Sequence, residues 1–331
     1  MIVKLLWAFV GSLLVTTVTG IFLVPYLRKK KAGQSIREDG PVWHMGKSGT
    51  PTMGGIMFIA GIAFSIVVGG IGEAAAGDWR HFIIFAFSII FALIGFLDDY
   101  EKLKKKQNLG LTAIQKFALQ LAAAVVLVLL LRLEGHLTTR LYVPFFHDVF
   151  IDLPDWLYFI FAAFVIVGTV NAVNITDGID GLAAGVSLPV AICYAVVAGV
   201  WGLASVGLFG AALAGGLTGF LIFNFYPAKI FMGDTGSLFL GGAICATAFA
   251  LNMPLALVPL GIVYIIETLS DIIQVTYFKL SHGKRVFKMA PLHHHLEMSG
   301  WGERRIFTVF TAISACFSIL TFFGVWHGFG A

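Results

Sequence analysis

Ten apolar runs, most of them close to the length that crosses a lipid bilayer, dictate what this 331-residue chain can become. A helix needs about 20 mainly apolar residues to span the hydrocarbon. The runs are Leu5–Leu27, Ile56–Ile71, Phe82–Leu97, Ala113–Leu131, Trp156–Val173, Leu182–Trp201, Leu203–Phe223, Ser237–Leu251, Leu255–Phe278 and Ile306–Val325. Only 12% of the residues are charged against 58% hydrophobic, roughly half the charged share of soluble domains. The expectation is an all-α polytopic membrane protein with about ten transmembrane helices, forming one domain over residues 1–331. The first run is too long for a signal peptide, and no small-residue cleavage site follows it. Cys193, Cys245 and Cys316 all fall inside runs, so no disulfide framework is expected.

The net charge of +4 says less than its placement. The first, third and ninth loops hold Arg28 to Lys31, Arg37 and Lys47; Lys102 and Lys104 to Lys106; and Lys279, Lys284, Arg285, Lys288, Arg304 and Arg305. Even-numbered loops hold only Arg80, Arg132 and Arg140. The positive-inside bias then makes the odd loops cytoplasmic and places both termini outside. The second outside loop, 137–154, alternates apolar residues around His147-Asp148 and reads as a small external β-hairpin.

The polar residues cluster where runs meet loops. In Asn171-Ala-Val-Asn-Ile-Thr-Asp-Gly-Ile-Asp-Gly181, four side chains able to coordinate or hydrogen-bond recur every third residue. That spacing brings neighbours to roughly one helical face. Capping alone explains one Asn and one Gly, not Asn171, Asn174, Asp177 and Asp180 together. Carboxylates at the mouth of a membrane bundle are costly without a cation, a partner or water. Asp98 and Asp99 close the third run beside Lys102; adjacent carboxylates stay ionised only near a divalent cation or lysines. Lys47-Ser-Gly-Thr-Pro-Thr52-Met-Gly-Gly55 joins small residues to a point charge suited to phosphate. A hinge with a positive-inside lysine accounts for the same residues.

Asp234 lies between glycines at the start of the eighth run, as a helix cap or beside N–H groups that could hold an anion. Glu267, Asp271 and Gln274 share one helical face inside the ninth run, where acidic groups normally meet a bundle interior. His293, His294 and His295 point about 100° apart on a helix, so one element cannot aim all three at one metal.

Each motif except the Glu267 face falls at an end expected to be cytoplasmic. Carboxylates for a divalent cation, with Lys and His for phosphate, suit a soluble nucleotide-activated donor meeting a phosphorylated lipid. Nucleic acid is not an expected partner. The motifs resemble those of the phospho-N-acetylmuramoyl-pentapeptide transferases, a branch of the polyprenyl-phosphate N-acetylhexosamine-1-phosphate transferase superfamily. The resemblance runs along essentially the whole chain. It rests on the Lys47, Asp98-Asp99-Tyr-Glu-Lys102 and Asn171–Gly181 stretches, on Phe231-Met-Gly-Asp-Thr-Gly-Ser, and on Pro291-Leu-His-His-His-Leu-Glu.

That resemblance implies transfer of phospho-MurNAc-pentapeptide from UDP-MurNAc-pentapeptide to undecaprenyl phosphate with Mg²⁺, giving lipid I and UMP in the bacterial inner membrane. It implies that Asp234 holds the metal and that Asp98, assisted by Asp99, deprotonates or orients the lipid phosphate. Lys102 and Lys116 would neutralise that phosphate. Lys47, Thr52, Asn174, Asp177, Gly178, Asp180, Asn224, Phe231, Gln274 and His293 to His295 would line the nucleotide-sugar site. Direct transfer and a covalent Asp98 intermediate both remain compatible with these residues, and a homodimer is left open. A GlcNAc-1-phosphate transferase fits the His triplet and Thr-Pro-Thr stretch less well. A secondary transporter would place its carboxylates at the midplane and carry repeats, which are not evident here.

Overall fold

The computed structural model describes residues 1–30, 47, 49–105, 110–133, 135–146 and 149–326. All ten apolar runs become helix: α1 (Ile2–Lys29), α2 (Gly55–Ala75), α3 (Arg80–Lys105), α4 (Ala113–Leu133), α5 (Asp155–Thr176), α6 (Leu182–Val200), α7 (Ala204–Asn224), α8 (Gly233–Ala250), the pair α9 (Leu257–Leu260) and α10 (Ile262–Leu280), and α12 (Glu303–Val325). A short α11 (Leu292–Glu297) carries the three histidines.

The structure bears out a polytopic helical bundle, with the number of spans given more coarsely than the sequence expectation of about ten. Among the described residues, eight helices are long and apolar enough to cross a membrane. A ninth span results if Pro254–Leu260 and Ile262–Leu280, bent by 77°, count as one. The helix that falls short is α8, whose first turn spends its length on Gly233, Asp234 and Gly236 rather than on apolar surface.

That helix is nevertheless the centre of the bundle. Every residue from Thr235 to Ala250 is buried. It is flanked by α3 and α5 and touched by α2, α6 and α7, while α1 packs against α2 and α7. Without a hydrophobic driving force between helices in lipid, close approach depends on small residues. A Cβ on Gly95 would collide with the Asp234 carbonyl, so glycine here lets α3 lie directly on the start of α8. A side chain on Gly215 would likewise meet the Phe9 carbonyl, which seats α7 on α1.

The expected hairpin is present. Strand β1 (Arg140–Tyr142) pairs antiparallel with β2 (Phe150–Asp152), Leu141 opposite Ile151. The Arg140 guanidinium lies 4.0 Å from the Phe150 ring centroid, and the Phe145 N–H donates to Gly324 O at 2.7 Å, docking the loop on the end of α12. The expected external placement of His147 concerns a position outside the described residues.

Candidate active site

The α3–α8 contact organises the polar residues. Asp98 and Asp99 stand one turn beyond Gly95 and are both buried. They point to different tasks. Asp99 accepts from the backbone N–H groups of Asp234 (3.2 Å) and Thr235 (2.9 Å) and from the Thr235 hydroxyl (2.7 Å), so it caps α8 from a neighbouring helix. Asp98 takes the Leu111 N–H on Oδ1 (2.8 Å) and Lys102 Nζ on Oδ2 (2.6 Å).

Lys102 continues to Asp234 Oδ2 at 3.0 Å, and Lys116 from α4 reaches the same oxygen at 2.9 Å. Asn174 Nδ2 donates to Asp234 Oδ1 (2.9 Å) and Ser237 Oγ (2.7 Å). Four helices thus meet at one carboxylate. Two lysines, Lys102 and Lys116, and two carboxylates, Asp98 and Asp234, are held in one network there.

The every-third-residue pattern does not form one helical face. Helix α5 stops at Thr176, and Gly181, at φ 76°, starts α6 in a left-handed conformation that glycine adopts without strain. Asn171 turns back to Gln120 of α4, with Nδ2 donating to Oε1 at 2.7 Å. Asp180 accepts Lys47 Nζ (2.7 Å) and the Ala228 N–H (2.8 Å). Asp177 is half-buried, and its carboxylate has no hydrogen bond or ion pair among the described residues. Burial, and then the negative charge of Asp234, Asp99 and Asp180, pushes its carboxyl up to about 8.

A cavity of about 240 Å³ gathers Lys47, Asn174, Asp177, Gly178, Asp180, Asn224, Phe231 and Asp234 along its wall. These are eight of the residues expected at the site. Asn224 donates to Ile230 O at 2.8 Å, while its buried Oδ1 has no partner.

Other expected residues sit behind this wall. Thr52 is buried, its Oγ1 unpartnered and next to Gly233. Gln274 is occupied by a loop, taking the Val286 and Phe287 N–H groups at 3.1 and 2.9 Å and donating to Phe287 O. The glycines after Thr52 make a contact between helix ends. The Gly54 N–H donates to Phe231 O (2.8 Å) and the Gly55 N–H to Met232 O (3.0 Å), so they dock the start of α2 on the start of α8.

The histidines diverge as their helical spacing requires. His293 Nδ1 lies 2.8 Å from Glu267 Oε2, and its unpartnered, buried Nε2 faces Gly178, where a Cβ would overlap it. His294 pairs with Glu297 at 2.7 Å. His295 accepts the Lys288 N–H at 3.1 Å and packs edge-on against Phe287, outside the cavity wall.

Glu303 was not legible as a site residue. Its Oε2 accepts Lys47 Nζ (2.7 Å) and the Asp180 N–H (3.1 Å), tying three distant segments together. As a lone acid in the first turn of α12 it reads as dipole compensation.

Residues 81–252 match the family model Glycosyl transferase family 4, and residues 47–59 match the phospho-N-acetylmuramoyl-pentapeptide-transferase signature 1. Relatives named phospho-N-acetylmuramoyl-pentapeptide-transferase align along almost the entire chain. The protein from Caldanaerobacter subterraneus subsp. tengcongensis is 44% identical, covering 98% of this chain and 100% of the relative. That from Desulforamulus reducens is 45% identical over 96% and 95%, and that from Heliobacterium modesticaldum 46% over 97% and 97%. The chain belongs to the phospho-N-acetylmuramoyl-pentapeptide-transferase family. The stretch matching that family's signature runs from Lys47 in the cavity wall, through the docking glycines, into α2. The broader transferase match spans α3 to α8, the helices that meet at Asp234.

Proposed function

We propose that this protein is an integral membrane transferase that moves phospho-MurNAc-pentapeptide from UDP-MurNAc-pentapeptide to undecaprenyl phosphate, releasing UMP and forming lipid I. The observation that carries the reading is the convergence of Asp98, Lys102, Lys116, Asn174 and Asp177 on Asp234 at one end of the bundle. Its supports are this geometry and the near full-length relatives. The basic odd-numbered loops support a cytoplasmic position for that end and an outside position for both termini, and we assign the chain to the bacterial cytoplasmic membrane with its family.

In the reaction an oxygen of the lipid phosphate forms a bond to the sugar-linked phosphorus of the donor. The bond from that phosphorus to the bridging oxygen breaks, and UMP departs with the oxygen. Positioning and charge neutralisation carry such transfers. Lys102 and Lys116 face the phosphates. Asp98 holds Lys102 in place and receives any proton left on the lipid phosphate, whose last ionisation falls near pH 6, so a weak base suffices. Both Asp98 oxygens are already engaged, which favours direct transfer over a covalent aspartyl intermediate. Asn224 Oδ1, buried and unpartnered, is free to accept an N–H of the nucleobase.

Mg²⁺ fits the donor set. Asp177 brings an unpaired carboxylate to the cavity that Asp234 also lines, and the described residues contain no cluster of three or more ligating side chains. Mg²⁺ is commonly held in this way, by one or two carboxylates plus substrate phosphates. Asp177 and Asp234 would hold it, and bound there it would neutralise charge building on the pyrophosphate. The test is purified protein with undecaprenyl phosphate and either UDP-MurNAc-pentapeptide or UDP-GlcNAc, with Mg²⁺ or excess chelator. UMP release and lipid product are expected only from the first donor with Mg²⁺. Product from UDP-GlcNAc alone, or equal turnover in chelator, overturns the donor or the metal assignment respectively.

A further inference from the structure

A second cleft, of about 680 Å³, adjoins the first across the Lys47–Glu303 ion pair: Lys47 lines one and Glu303 the other. Tyr226, Glu297, Trp301 and Arg304 also line it. The carboxylates of this cleft are engaged, Glu303 by Lys47 and the Asp180 N–H, Glu297 by His294. Its one lining arginine is not. Arg304 stands over the Tyr226 ring at 5.5 Å and the neighbouring Arg305 over Trp301 at 4.0 Å, and neither is ion-paired among the described residues. A guanidinium stacked on an aromatic face keeps a fixed plane and leaves its N–H edge free to take a carboxylate through two parallel bonds. Charge balance makes the point sharper. The first cleft carries excess carboxylate, while this one presents satisfied carboxylates and one cation without an ion pair, Arg304, beside two aromatic side chains.

We propose that this second cleft binds the peptide arm of the donor, with Arg304 taking a peptide carboxylate and Tyr226 and Trp301 covering the chain. This rests on the function proposed above. A muramoyl peptide is acylated at its N-terminus, so its free end is a carboxylate, the group that the unpaired arginine selects. The Lys47–Glu303 pair would then mark the boundary between the nucleotide-sugar and peptide portions of one ligand. Anchoring of the arginines to anionic lipid headgroups is the competing use of such residues.

The test measures binding of UDP-MurNAc-pentapeptide and of UDP-MurNAc lacking the peptide to the parent, Arg304→Ala and Arg304→Lys, in nanodiscs with and without anionic lipid. Loss of one charge-assisted carboxylate contact should weaken the pentapeptide donor about tenfold in Arg304→Ala. Arg304→Lys, which keeps the charge and loses the fork, should fall between. Affinity for the peptide-free donor should not move, which also shows that the variants fold. Equal weakening of both donors, no weakening of either, or an effect that follows anionic lipid rather than the peptide overturns the assignment. Should the parent bind neither donor, the proposed function itself fails. A parent that binds both without preferring the peptide overturns only the second cleft.

Discussion

Asp99 Oδ2 accepts two hydrogen bonds from Thr235, one from the backbone N–H and one from the hydroxyl. With the Asp234 N–H on Oδ1, this carboxylate ends the central helix of the bundle, while its sequence neighbour Asp98 faces Lys102. Adjacent and chemically identical side chains thus have separate work, because successive helical positions point about 100° apart.

The pair therefore separates by experiment. Asp99→Asn replaces one of the accepting oxygens with a donor and should cost about 1–2 kcal/mol of stability, seen as a lower melting temperature in detergent. Asp98→Asn should leave melting near the parent and reduce kcat by about 10² or more. Turnover and unfolding measured on the same preparations decide it. An Asp99→Asn protein that melts like the parent removes the capping role.

Asp234→Asn leaves Lys102 and Lys116 facing an uncharged amide and removes a carboxylate from the proposed metal position. Turnover at saturating Mg²⁺ should fall by roughly 10²–10³. Activity within a few-fold of the parent, with only the melting temperature lowered, would return Asp234 to a purely structural part.

Asp177 sets a pH dependence whose sign follows from its raised carboxyl. With a value of about 8 against an ordinary 3.8, the group is mostly protonated at neutral pH in the metal-free protein. Mg²⁺ must displace that proton, so Mg²⁺ affinity should climb between pH 6 and about 8 and level off above, with close to one proton released near pH 7. In the same metal-free protein, stability should fall as pH rises from about 4 towards 8, because the unfolded chain ionises this carboxyl first. Titration of Mg²⁺ against pH by calorimetry, with Asp177→Asn as the flat control, checks both directions.

Gly95→Ala places a methyl against the Asp234 carbonyl and must push α3 from α8. A cost of about 1–3 kcal/mol is expected from such overpacking. Because the displacement also separates Asp98 from Asp234, the Mg²⁺ concentration for half-maximal activity should rise. Unchanged metal dependence in a destabilised variant would show that the two aspartates tolerate the shift.

The helices were legible because length and apolarity are written in contiguous residues, and so was the hairpin, from its alternation. The sequence expectation and the structure differ most at α8, where a central helix shielded by protein need not be as apolar as one facing lipid. The motif Asn171–Gly181 announced itself through residue types, yet its spacing implied a single face that Gly181 and the end of α5 forbid. Gln274 was legible as a polar residue on an inward face, but not the loop that it holds through the Val286 and Phe287 N–H groups. Glu303 was invisible because its partners, Lys47 and Asp180, lie 256 and 123 residues away, and only the fold brings the three together.

That ion cluster gives the last prediction. Lys47 is held by two carboxylates that are nearly buried, Asp180 at 2% and Glu303 at 7% side-chain exposure. Lys47→Ala should raise the KM for the nucleotide-sugar donor several-fold with a smaller change in kcat, since it alters binding rather than the reacting atoms. Glu303→Gln should act in the same direction, because the amide no longer balances the lysine and accepts the Asp180 N–H more weakly. If Glu303 works through Lys47, the double variant is no worse than the more damaging single one, and the cycle gives a coupling on the order of 0.5–3 kcal/mol. The alternative is that Glu303 only complements the α12 dipole, contributing about 0.3–1 kcal/mol to stability and nothing to donor binding. Additive effects on KM, or a Glu303→Gln protein whose KM equals the parent's, would establish that alternative and detach Glu303 from the donor site.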